Sequence, residues 1–163
     1  MPIPPYLWLK DDGGADIKGS VDVKDREGTI EILGMSHGIS IPVNNANGKI
    51  TGARQHSPFS FEKEVDSSSP YLYKAAATGQ TLNSAEIKFY HINDAGQEVV
   101  YYSVLMESVK ITSVNCGVPN CKLPANYIMN HMETVSMQYE KITWTIHDGN
   151  IQYTDAWNER PTV

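Results

Sequence analysis

Only one stretch of this chain carries a helix signal, and it is short; the other periodic segments alternate with period two. In SSSPYLYKAAATG, Ser69 is placed to accept a backbone N–H as an N-cap, and Pro70 follows at the first helical position, where its missing donor costs nothing. Leu72, Ala75 and Ala76 recur at spacings of three and four and form one apolar stripe. Gly79 lies just past the end, where a left-handed residue stops a helix. The pattern predicts a helix over about Pro70–Thr78. Two to three turns are too few to stand alone in water, so the helix must dock on something.

That something reads as β-sheet. Tyr6 to Leu9 is a first strand whose start is kept at an edge by Pro2, Pro4 and Pro5. Ile30 and Ile32 share one face; after Gly34 the parity flips to His37, Ile39, Ile41 and Val43, which suggests a bulge or a break. Val43 to Gly52 is polar, carries Asn47-Gly48 and reads as a wide hairpin loop or a projecting arm. Phe59, Phe61 and Val65 alternate towards the helix. Ala85 to Ile92, the turn Asn93 to Gly96, and Val99 to Met106 follow, the last apolar on both faces and so either central or covered by another subunit. Val109, Ile111 and Val114 continue that pattern. From Glu133 to His147 the parity switches again, from Val135, Met137 and Tyr139 to Ile142, Trp144 and Ile146, which places a bulge near Glu140-Lys141. Ile151 and Tyr153 make a last short strand before a polar tail. The expectation is a mainly β fold, a barrel or sandwich, with one short helix. Length favours a single domain over residues 1–163, and a chain of this size buries about 68–70% of its extended surface without staples.

Charge and composition exclude several partners. Thirteen basic residues stand against nineteen acidic ones, with no basic run or stripe, so nucleic acid is not expected. No apolar run reaches the length of a membrane span, and MPIPPYLWLKDD lacks the basic region and cleavage site of a signal peptide. The chain is therefore expected in a cytosol, with any export by a route that needs no cleaved leader. Cys116 and Cys121 offer at most half a zinc site; loop thiols are favoured over a bridge formed after export, and that bridge over a metal.

Catalytic patterns are weak throughout. His37, His56, His91, His131 and His147 form no metal-ligand pair, and His37 and His91 fall in strand patterns, where packed, hydrogen-bonded imidazoles are expected. Glycine motifs for phosphate binding and a nucleophile elbow are absent. Glu62 and Glu64 share a strand face, at the lower limit of glycosidase spacing, but pairs of this kind are common on solvated faces. Trp8 and Trp144 sit in strands and read as core; Trp157, in the tail, invites a partner, either a neighbouring subunit or a glycan. No catalytic, cofactor or metal residue is assigned.

In order along the chain come IEILGMSHGI, GKITGARQHSPFSFEKEVDSSSPYLYKAAATGQ, EIKFYHINDAGQEVVYYSVLMESVKITSV and METVSMQYEKITWT. Together these closely resemble the haemolysin-coregulated protein (Hcp) family, the tube protein of bacterial type VI secretion, from about Leu7 to Trp144. The resemblance implies a β-barrel-like packing of two sheets with one short helix, assembled as a homo-hexameric ring. Rings would stack into a tube driven by a contractile sheath, tipped by a spike protein, and carry effectors. It also implies a protein made in the bacterial cytoplasm and then secreted, without membrane insertion. The projecting segment resembles the family's extended loop; its Asn44, Asn45, Asn47 and Lys49, with Arg54 just beyond it and Trp157 of the tail, are the candidate subunit or ring contacts. The alternative is a monomeric glycan-binding β-sandwich; a small hydrolase using Glu62 and Glu64 ranks third.

Overall fold

Apolar alternation becomes strand nearly everywhere it occurs in the computed structural model, which describes residues 2–159. The strands are β1 (Tyr6–Lys10), β2 (Asp16–Ile17), β3 (Ile30–Glu31), β4 (Gly34–Ser36), β5 (Ile39–Ser40), β6 (Gln55–His56), β7 (Phe59–Glu64), β8 (Thr81–Ile92), β9 (Glu98–Gly117), β10 (Met132–Gln138), β11 (Lys141–Ile146) and β12 (Ile151–Ala156). The helix α1 spans Ser69–Thr78 between β7 and β8. Ten strands join in one antiparallel sheet, and β5 and β6 make a separate two-stranded one. The fold is mainly β with one short α-helix, as expected.

The strand that is apolar on both faces is central. β9 runs for 20 residues, with β8 along one edge and β10 followed by β11 along the other. A crease crosses all of them. In β9, Ser108 takes a left-handed φ of 54°, and the inward set changes from Val104 and Met106 to Val109 and Ile111. In β8 the inward set changes from Ala85 and Ile87 to Leu82. On the far side β10 stops at Gln138 and β11 starts at Lys141, and the buried row passes from Met137 and Tyr139 to Ile142. These changes line up, because Glu107 pairs with Ser84 and Lys141, while Lys110 pairs with Thr81 and Gln138. A sheet that exchanges faces along one line folds over, and both halves then feed one core. Residues 30–36 tie the remaining edges: β3 pairs with β1, β4 with β7, and the Ile32 and Leu33 N–H groups donate to Pro5 and Glu62 carbonyls. The packing is barrel-like, with its rim bridged by chain rather than closed by a continuous ladder.

The helix docks by the predicted stripe: Leu72 and Ala75 are fully buried and Ala76 packs beside them, against β9. Gly79 ends it at φ 66°, donating to the Ala75 carbonyl. The start differs from expectation by one residue. Ser68 is the N-cap and Ser69 the first helical residue. The reason is a buried charge below. β7 places Phe59, Phe61 and then Lys63 in the core row, and Val65, expected there, is exposed. The Lys63 ammonium donates to Glu133 (2.7 Å), the Glu64 carbonyl (2.9 Å) and Ser69 Oγ (3.1 Å), with Asp66 at 3.2 Å. Ser69 Oγ accepts the Asp66 N–H and donates to Glu133, so it braces the turn before the helix. A buried ammonium is tolerable only with such a full set of partners.

Two other expectations change. Trp8 lies on the outer face of β1 with the Lys88 ammonium 4.5 Å over its ring, while Trp144 does pack against the core. His91 is exposed and stacked on Tyr101, because it sits beyond the last buried position of β8.

Candidate assembly surface

The segment between β5 and β6 is an arm. Val43 and Ile50 bridge, the Asn44 N–H donates to the Lys49 carbonyl at 2.7 Å, and the Gly48 N–H to the Asn44 carbonyl at 2.7 Å. Gly48 supplies the required left-handed conformation, at φ 72°. Asn44 Oδ1 accepts the Ala46 N–H and Asn47 Oδ1 accepts the Lys49 N–H, so both side chains brace the turn. From Ile39 to Gln55 every residue is exposed except Pro42 and Arg54, which are half-buried. Ile39, Ile41, Val43 and Ile50 are 47–67% exposed. The flip of parity at Gly34 thus carries the chain out of the core and onto the arm. Exposed apolar side chains on a braced projection make the arm the candidate contact surface.

The arm's base is fixed by a hydrogen-bonded chain. Arg54 grips Asp155 of β12 with two bonds, Nε to Oδ2 at 2.6 Å and Nη2 to Oδ1 at 2.7 Å, and Nη2 also donates to the Ala156 and Glu159 carbonyls. His56 Nε2 lies 2.8 Å from Asp155 Oδ2, and its Nδ1 lies 2.7 Å from the Tyr139 hydroxyl. His37 Nε2 lies 2.7 Å from the same hydroxyl. The Trp157 ring sits 5.1 Å from that of His56 and remains 42% exposed. The Arg54 hydrogen bonds, with a smaller contribution from His56, hold the Asp155 carboxyl below its ordinary range. Burial, with a smaller contribution from His56, depresses His37, and burial pushes the Tyr139 phenol up.

The candidate contact residues therefore fall in two places. Asn44, Asn45, Asn47 and Lys49 lie at the arm's tip. Arg54 and Trp157 meet at its base, where Arg54 is engaged within the chain. Tyr139, Asp155 and His56 were not picked out by sequence reasoning, and their separations of 83 and 99 residues explain why. The one available signal was polar residues interrupting apolar rows. Glu62 and Glu64 are both exposed opposite the buried Lys63, and they line different surface hollows. Cys116 and Cys121 are exposed and unpaired. Among the described residues no cluster of His, Cys, Asp or Glu could hold a metal, and no helix is long and apolar enough to cross a membrane.

Comparison with known proteins adds to this geometry. Residues 6–146 match the family model described as "Type VI secretion system effector, Hcp". The chain is 32% identical over 142 residues to the "Major exported protein" of Pseudomonas aeruginosa, covering 87% of this chain and 83% of that one. It is 59% identical to a mutant of the Hcp1 protein of E. coli EAEC 042, with a TM-score of 0.86 over 95% of this chain and 99% of the other. The secreted protein Hcp3 of Pseudomonas aeruginosa shares the fold, with a TM-score of 0.76 at 23% identity over 96% and 99% of the two chains.

Proposed function

Because the chain belongs to the Hcp family of type VI secretion proteins, we propose that it acts as one subunit of the secretion tube. In this reading six copies close into a ring, rings stack, and the tube carries effectors behind a spike protein under the drive of a contractile sheath. The protein is made in the cytoplasm and exported with the tube, in keeping with the name of its Pseudomonas relative. The whole chain serves as a single structural domain and performs no reaction.

The observation that carries this reading is the arm: exposed, braced by its own asparagines, and anchored through Arg54, His56 and Asp155 to the last strand. A head-to-tail ring needs two different complementary patches on each subunit, and a rigid projection bearing apolar side chains is suited to be one of them. Removing Asn44–Lys49 tests it. Shortening a loop costs the fold little chain entropy, so circular dichroism should be unchanged. Electron microscopy should then show fewer rings or shorter stacks than the intact chain forms. Unaltered rings and stacks would refute the arm's role.

A further inference from the structure

We propose that the anchor at the arm's base is a pH-sensitive latch, closed while at most one of His37 and His56 is charged and opened when both are. The Tyr139 hydroxyl has a single proton, yet two imidazole nitrogens lie at 2.7 Å from it. With both rings neutral, each of the three contacts has one donor and one acceptor: His37 Nε2–H donates to the hydroxyl, the hydroxyl donates to His56 Nδ1, and His56 Nε2–H donates to Asp155. One added proton is accommodated. If His56 is charged, its Nδ1–H donates to the hydroxyl, which turns its own proton towards His37 Nε2. A second proton has no such solution. The oxygen can accept both N–H groups on its two lone pairs, but its own O–H then loses both ring nitrogens as acceptors, and two cations stand on either side of it.

Among the described residues the other charged groups facing this site are Asp155, against His56, and Arg54, which holds Asp155; around His37 stand the uncharged rings of Phe59, Trp144 and Tyr139. Among the described residues His37 therefore has no carboxylate partner to offset a charge. The latch matters because β5 and β6 form only two residue pairs, and among the described residues no strand pairing joins them to the ten-stranded sheet. His37 precedes β5 and His56 lies in β6, so Tyr139 and Asp155 clamp both flanks of the arm. This concerns the single chain and stands whether or not rings form.

The test is hydrogen–deuterium exchange of residues 39–56 and 151–157 at a series of pH values from about 8 down to about 5, with the two imidazoles followed in parallel by nitrogen-15 NMR. The expected result is two coupled titration steps, with arm protection falling at least about tenfold on the second. His37→Gln, whose amide can donate to Tyr139 but never carries charge, should keep the protection seen at about pH 8 and move the opening to lower pH. Tyr139→Phe should lose protection at all pH values. Protection that is flat across the range, an unshifted opening in His37→Gln, or an unaffected arm in Tyr139→Phe would each overturn the latch.

Discussion

At the scale of single residues, two polar clusters are buried in this fold, and apart from His37, expected as a packed and hydrogen-bonded imidazole, they were not legible in the sequence. Lys63 occupies a core position between two exposed glutamates, so the alternation of Glu62 and Glu64 read correctly while the charge between them did not announce its burial. Its partner Glu133 is 70 residues away, a separation that no local pattern spans. Both are almost wholly buried, so leaving one of them alone is expensive. Glu133→Ala is expected to cost about 3–5 kcal/mol by denaturant melting, because an ammonium is then left without its strongest partner. Replacing both, as Lys63→Met with Glu133→Leu, should recover most of that loss. The second cluster sets a pH dependence. Burial lowers His37 from its ordinary 6.5, so the unfolded chain takes up that proton first, and stability is complete above about pH 6.5 and declines below it. Asp155, held below its ordinary 3.8 by Arg54, adds a further loss that begins near that value as pH falls. Denaturation midpoints measured across this range should fall in that order, and His37→Gln should remove the first decline.

At the scale of elements, the helix and most strands were readable because their signals are local. Pro70, the Leu72 stripe and Gly79 act within ten residues of one another. Leu72 is fully buried, and Leu72→Ala should cost about 2–5 kcal/mol; a near-neutral melting shift would mean that the stripe does not carry the docking. The crease was half legible. The exchange of parity at Glu140-Lys141 is visible in the apolar pattern, and so is that at Gly34. The matching exchange at Ser108 is not, because one serine, a weak turn former, inside a run that is apolar on both faces does not mark a break. Its left-handed φ of 54° makes a further prediction. A β-branched residue there meets the steric cost of that region, so Ser108→Val should destabilise the chain by about 1–3 kcal/mol while Ser108→Gly is tolerated.

At the scale of the whole molecule, the sheet and helix share one buried core while the arm stays exposed. That distinction separates what the chain does for itself from what it offers to others. The family match places the chain in type VI secretion, and the exposed apolar arm is the surface on which the proposed assembly rests. The decisive quantity is therefore mass in solution, measured by light scattering on a size-exclusion column across a range of concentrations. The tube-subunit account predicts a discrete species at six times the 18.1 kDa chain mass, reduced to smaller species by loss of Asn44–Lys49. A species that stays at 18.1 kDa at every concentration would contradict it.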